Sequence, residues 1–325
     1  MYKSFRKIEI ISFANNEIEA PVGIIEGLDK NIWLTSTKNN KICKIEPNSL
    51  SISCYSNNDN TTLNYPANIY PALDGCVWVT CVGSNGIVRL ASDFESNKLP
   101  YTFYQSEHTI EPLAIKTDKN GLVWFSLRGK NAIGSINPLS ENPELTMKIY
   151  EHPDIKHPSA IYINNKNELF FMNTQKDATG IGRLNCDSHD ILGTLKIYRF
   201  PDSSVKLRAW AEDIKSRIWF TGFNNTIAMF DPAEFSENLS LHIFQDPVLN
   251  MPDGICLGAD GCLWFTNSGS NQIGRFEPND ENIFAHMEFY THDKMEGPFD
   301  IKPDSNGRVW FTNKISNNVG FICTI

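Results

Sequence analysis

Pro252-Asp253-Gly254-Ile255-Cys256-Leu257-Gly258-Ala259-Asp260-Gly261-Cys262-Leu263-Trp264-Phe265-Thr266-Asn267 is the stretch that decides the fold, because the chain writes its pattern seven times. The skeleton is a Pro, a Trp twelve residues later inside an apolar run, a polar loop, and an Ile or Val about nine residues past the Trp. The copies run Pro21…Trp33…Ile42, Pro66…Trp78…Ile87, Pro112…Trp124…Ile133 and Pro158…Phe170…Ile181. They continue as Leu207…Trp219…Ile227, Pro252…Trp264…Ile273 and Pro298…Trp310…Val319. Copies follow one another at 45–49 residues with no linker or low-complexity stretch between them. Such a period marks a propeller or a solenoid. Length alone would suggest two domains, but the unbroken repeat predicts one domain over 1–325.

Each copy carries the grammar of four short strands. Gly254-Ile255-Cys256-Leu257 is a first apolar strand, and Asp260-Gly261 is a turn dipeptide that tolerates positive φ. Leu263-Trp264-Phe265-Thr266 is a second strand, Ile273-Gly274-Arg275-Phe276 a third, and His286–Tyr290 an exposed fourth. Asp74-Gly75, Asn120-Gly121 and Asn306-Gly307 mark the same first turn elsewhere. Four strands per unit of this length make a propeller blade, so the prediction is an all-β, seven-bladed β-propeller with antiparallel blades. The seventh copy stops after its third strand, and Lys7–Phe13 resembles a fourth strand. That segment is predicted to complete the last blade and close the ring, removing an open sheet edge. The recurring aromatics read as packing between blades rather than as a ligand cage, each burial contributing on the order of 3 kcal/mol.

Composition excludes several classes. A formal charge of −9 with a pI near 5.3 and no Lys/Arg run argues against nucleic acid or an acidic membrane surface as partner. Met1–Ile10 lacks the apolar stretch of a signal peptide, which predicts a cytoplasmic protein. Eight cysteines without a Cys-x-x-Cys read as reduced and buried.

In a four-strand meander the start of strand one and the end of strand two share a face near the axis. The first set of positions reads Val22, Ala67, Leu113, Ser159, Arg208, Asp253 and Phe299. The second reads Ser36, Cys81, Leu127, Asn173, Gly222, Asn267 and Asn313, with Thr37, Val82, Arg128, Thr174, Phe223, Ser268 and Lys314 beside it. These predict a lopsided funnel. Ala67, Cys81, Leu113 and Leu127 form an apolar wall, and Ser159, Asn173, Arg208, Asp253, Asn267, Asn313 and Lys314 a polar one. One apolar side facing a few converging polar groups suits a small organic ligand. Glu111 and His157, both directly before a Pro, are candidates for a carboxylate–imidazole pair.

The phrases Gly254-Ile255…Asp260-Gly261…Leu263-Trp264-Phe265-Thr266…Asn271-Gln272-Ile273-Gly274-Arg275 and Val123-Trp124-Phe125…Asn131-Ala132-Ile133-Gly134 closely resemble the virginiamycin B lyase (streptogramin B lyase) family. The resemblance extends over all seven copies and implies a seven-bladed propeller. It also implies an elimination that opens cyclic depsipeptides. A base takes the proton beside the ester carbonyl, the ester C–O bond breaks, and magnesium aids the developing enolate. The family's machinery resembles Glu-Pro-His-Gly in the last blade, a Glu after that blade's Trp motif, and Pro-His in the blade before. At those positions this chain has Gly297 and Phe299, then Asn313 or Lys314, then Asp253. Neither the bases nor the magnesium ligands are retained on this transfer, so no cofactor is expected. Glu296 stands one residue from the missing acid.

The resulting expectation is a lyase-like propeller whose funnel binds a small-molecule or cyclic-peptide metabolite. Ser159, Asn173, Asn267, Phe299 and Asn313 would make contact with it. In a divergent metal-independent enzyme of the lyase kind, Asp253 would act as base, and Arg208 or Lys314 would stabilise an anion. The competing classes are a non-catalytic propeller holding a ligand or a protein partner, and a true lyase with relocated catalytic residues.

Overall fold

The structure, a computed structural model, describes residues 8–11, 17–57, 61–91, 101–200, 207–222, 224–236, 239–278 and 282–323. Seven four-stranded antiparallel sheets follow one another along the chain. Blade 3 is typical, with strands Pro112–Thr117, Val123–Leu127, Ala132–Ile136 and Lys148–Glu151 in sequential order. In the seventh sheet Ile8–Ile11 pairs antiparallel with Asn318–Cys323, Ile8 opposite Ile322 and Ile11 opposite Val319. The ring therefore closes as the repeat predicts. The outer residues of the predicted closing strand, Lys7, Ser12 and Phe13, lie outside the described residues.

Seven apolar clusters hold the ring together, one per junction between blades. Trp33 packs with Ile69, Val77 and Val79 of blade 2, and Trp78 with Ile115, Val123 and Phe125 of blade 3. The series continues to Trp310, which packs with Ile24, Ile32 and Leu34 of blade 1. Each of the six repeat indoles is buried and its one N–H needs a partner in an apolar junction. The first turn supplies it: Asp29, Asp74, Asp118, Asp213, Asp260 and Asp304 each accept from their blade's Trp Nε1 at 2.7–3.4 Å. Blade 4 has Phe170, with no N–H to satisfy, and at the matching turn position Asn164 instead of Asp. Close packing also fixes the glycine of strand three. A Cβ on Gly274 would lie 2.1 Å from the Phe265 ring.

One expectation is corrected. Cys43 and Cys54 are opposed across strands Lys41–Ile45 and Ile52–Tyr55 with Cα atoms 4.0 Å apart, and they form a disulfide. Direct antiparallel partners place both Cβ atoms on one face, which spacing along the chain does not reveal. Of the other six cysteines, five are buried. Among the described residues no helix is long and apolar enough to cross a membrane.

Candidate functional site

The funnel is built by an irregularity at the start of every blade. Pro pairs with the last residue of strand two, as Pro112 with Leu127, but the next regular pair is Ile115 with Phe125. Two residues, Leu113 and Ala114, thus oppose the single Ser126, and the same one-residue register shift recurs in all seven blades. A bulge of this kind re-aims side chains, here toward the axis. A hydroxyl two places after the aromatic pins it. Thr35, Thr80, Thr221, Thr266 and Thr312 donate to the carbonyls of Ala67, Leu113, Asp253, Phe299 and Val22 on the following blade.

A second clamp sets the approach to each Pro. Asn40, Asn85, Asn131, Asn225, Asn271 and Asn317 all have φ between 54° and 59°. Their side-chain oxygens accept from the backbone N–H of Tyr65, Glu111, His157, Met251, Gly297 and Ala20, each directly before the next blade's first strand. Asn tolerates the left-handed region better than other side-chain-bearing residues, which explains its recurrence in the polar loop.

These devices bring all seven residues of the first set, Val22, Ala67, Leu113, Ser159, Arg208, Asp253 and Phe299, to one axial cavity of about 350 Å³. The bulge adds the residues after them, including Asn68 and Asp300, and the loops add Arg128 and Thr174. Asn68 and Asp300 are absent from the sequence expectation. The signal was available: Pro and the core Ile are three residues apart, a spacing that unbroken strand alternation cannot place on one face.

The second set is placed differently, and this corrects part of the expected wall. Ser36, Cys81, Leu127, Asn173, Asn267 and Asn313 are all buried and outside the cavity. Asn173 accepts from Lys156 N–H at 2.8 Å and donates to the Asp154 carbonyl at 2.7 Å. Asn267 accepts from Asn250 N–H at 2.7 Å and donates to the Val248 carbonyl at 2.9 Å. Asn313 donates to Asn318 Oδ1 at 2.7 Å. Asn173 and Asn267 tie strand two to the crossing from the previous blade, and Asn313 ties it to strand three of its own blade. Thr37 and Thr174 similarly donate to the carbonyls of Pro66 and His157 at 2.6 and 2.7 Å. Phe223 lies outside the described residues.

Charge concentrates on blades 5 to 7, with Arg128 of blade 3 as the other charged lining residue. Arg208 Nε donates to Asp253 Oδ1 at 2.8 Å, and its terminal nitrogen donates to Oδ2, forming a two-point pair. Burial pushes the Asp253 carboxyl above its ordinary value, while the Arg208 bonds pull it down. The Arg208 guanidinium lies 5.3 Å from the Phe299 ring centre, and Lys314 Nζ 4.7 Å from the same ring. Lys314 therefore stands behind Phe299, outside the cavity lining. Glu111 pairs with Arg128 at 3.2 Å, and His157 is exposed away from the cavity, so the carboxylate–imidazole pair is not formed.

The magnesium site implied by the resemblance does not fit these residues. Its positions carry a glycine, an aromatic ring, a buried amide and an ammonium, none of which is a hard anionic donor. Glu296 is exposed. Among the described residues no group of three or more His, Cys, Asp or Glu side chains is arranged to hold a metal.

The model of the virginiamycin B lyase family matches residues 13–246 and 61–324. A search of curated proteins returns no match. Among solved structures, a catalytically inactive histidine-to-alanine variant of virginiamycin B lyase from Staphylococcus aureus, with quinupristin, superposes at a TM-score of 0.80 and 24% identity, covering 98% of this chain and 100% of that one. A streptogramin B lyase structure gives 0.79 and 23%, covering 98% and 97%. The extracellular domain assigned to a hybrid two component system of B. thetaiotaomicron gives 0.69 and 14%, covering 97% of this chain and 41% of that one. At these identities the likeness is one of fold.

Proposed function

The chain belongs to the virginiamycin B lyase family, and from that premise we propose that it is a lyase-like propeller whose funnel binds a small or peptidic metabolite. The observation that carries this is the convergence of one residue from each blade on a single cavity, apolar along Val22, Ala67 and Leu113 and charged at Arg128, Arg208, Asp253 and Asp300. A ligand with an apolar ring or side chain and a polar edge suits it. Ser159 and Phe299 complete the contact surface.

The Arg208–Asp253 pair favours binding over the proton abstraction expected of Asp253. Both carboxylate oxygens are engaged by the guanidinium, which holds the pair as one fixed, nearly neutral donor–acceptor edge. A ligand amide or carboxylate reaching that edge meets preorganised groups.

Two measurements test the reading. A thermal-shift screen of metabolites and streptogramin B depsipeptides should yield a stabilising ligand, and Arg208→Ala should weaken it at least tenfold. A panel without any stabilising ligand, or ligands indifferent to Arg208, would sink the proposal. Mass spectrometry of the depsipeptide separates the enzymatic classes. Ring opening at constant mass would reinstate a lyase with relocated residues, and one added water a hydrolase.

The compartment is tested at Cys43 and Cys54. In a cytoplasm kept reducing, trapped and denatured protein should alkylate at both sulfurs; protection of both places the protein in an oxidising compartment instead.

A further inference from the structure

The funnel cavity has two unlike sides, and one position of the repeat shows the contrast. Two places after the repeat's proline position stands a glycine or an alanine in every blade except two, which have Asn68 and Asp300. Each of these reaches the next blade in the same way. Asn68 Oδ1 accepts from the Ile115 N–H at 3.4 Å, and Asp300 Oδ2 from the Ile24 N–H at 3.2 Å. That bond orients the Asn68 amide and leaves its NH2 group, a pure donor, unspent among the described residues. Asp300 has only acceptors, and its Oδ1 takes the Ile301 N–H and the Lys302 ammonium. Both residues line the cavity.

Further donors stand beside Asn68. Arg128 of blade 3 lines the cavity from a loop position where Thr37 and Ser268 give their hydroxyls to the carbonyl of the next blade's proline. Arg128 makes no such tie. Its Nε donates to Glu111 at 3.2 Å, and its two terminal nitrogens have no partner among the described residues. The Ser159 hydroxyl, on blade 4, has none there either. Blades 2, 3 and 4 are consecutive, so these unspent donors share one arc of the ring. In a ring of seven, blade 3 stands across the axis from the junction of blades 6 and 7, which carries Asp253 and Asp300. Arg208 is engaged differently, since it bonds both oxygens of Asp253.

We propose that the arc of blades 2 to 4 is a carboxylate subsite, with Arg128 as its specificity-determining residue, and that the funnel's ligand is a small apolar carboxylic acid rather than an uncharged ring. A guanidinium presents a planar fork of N–H donors that matches the two oxygens of a carboxylate. The Asn68 amide and the Ser159 hydroxyl add donors on either side of it. Val22, Ala67 and Leu113 offer the adjoining apolar surface to the rest of the ligand. The opposite wall fixes the direction of binding, because a carboxylate seated there would face Asp253 and Asp300. This inference rests on the funnel reading and narrows it to one ligand chemistry.

N-acetylphenylalanine and its amide are the probes, since they share a ring and a size and differ in the carboxylate. In calorimetric titrations of the whole chain at pH 7, the acid should bind at least tenfold tighter than the amide. Arg128→Gln should bring the two within twofold of each other by weakening the acid alone. Glu111→Gln removes the carboxylate that competes for Arg128, so it should keep or increase the preference for the acid. The Arg128 and Glu111 side chains are 41% and 43% exposed, so both variants should keep the wild-type thermal midpoint. An amide that binds wild type as tightly as the acid overturns the subsite and leaves the funnel reading standing. A preference that survives Arg128→Gln overturns it too, as does one lost equally in Glu111→Gln, which would mark a structural effect of breaking the pair. If neither probe binds at millimolar concentration the subsite also falls, and the metabolite and depsipeptide screen then decides the funnel reading by itself.

Discussion

Two sets of seven residues sit at the same end of the same blades, one place after each proline and three places after each central aromatic, yet only the first reaches the axis. The difference is the bulge. The two residues that oppose one at the start of strand one line the cavity, whereas strand two ends in regular pairing and turns its last side chain into the blade. One set is therefore free to vary with a ligand, and the other is committed to holding the crossing between blades. The asparagines show the commitment most clearly. Asn173 and Asn267 occupy equivalent places and make equivalent bonds to the backbone of the preceding crossing.

The sharpest way to break this contrast is Asn267→Ala. It removes the side-chain partner of the Asn250 N–H and of the Val248 carbonyl, and each lost hydrogen bond costs about 0.5–1.5 kcal/mol. We expect a lowered thermal midpoint with unchanged affinity for any funnel ligand. A variant that kept its midpoint but lost binding would move Asn267 from the scaffold to the site. Asn173→Ala should behave alike, and agreement between two blades would establish the role as a property of the repeat.

Much of this architecture was legible because the repeat averages away local ambiguity. Seven copies of one aromatic at a fixed distance from a Pro give the blade count, and the missing fourth strand of the last copy gives the ring closure. The first set of funnel residues was legible for the same reason. The second was misplaced because proximity of two loops on one face says nothing about side-chain direction, which depends on register. Asn68 and Asp300 reach the cavity because the register shifts across Pro66–Ile69 and Pro298–Ile301, which regular strand alternation does not convey. The Cys43–Cys54 bond escaped because it depends on which residues of two strands stand opposite.

Within the funnel set, the next effect should come from Arg208→Ala. Removing the guanidinium leaves the Asp253 carboxylate partly buried and unpaired, a cost of about 1–2 kcal/mol at neutral pH, between the exposed and buried extremes for ion pairs. Its pH dependence has a definite sign. Asp253 has a raised carboxyl in the folded protein, so the folded state holds its proton more tightly than the unfolded state does. Stability from this group is fully present below the ordinary carboxylate value and is lost as pH rises through the folded value. Arg208 opposes that rise. The variant should therefore lose more stability than wild type as pH climbs from about 4 to 7, read from thermal midpoints across that range. Parallel curves would mean that the pair contributes nothing to the titration.

The smallest effect tests the edge of the contrast. Lys314 belongs by position to the loop beside the second set, and its Nζ lies 4.7 Å from the centre of the Phe299 ring, outside the cavity lining. An ammonium over a partly exposed ring contributes about 0.5–1 kcal/mol. Lys314→Gln should thus shift stability by no more than about that amount, and it should leave ligand affinity within about twofold, because the amine is outside the cavity. If affinity instead falls tenfold while the midpoint holds, the funnel reaches past Phe299. The ring would then be a movable partition between ligand and Lys314. Phe299→Ala separates that case from simple loss of contact: with the partition removed, Lys314→Gln should weaken binding further, whereas in a funnel that ends at Phe299 the second substitution should add nothing.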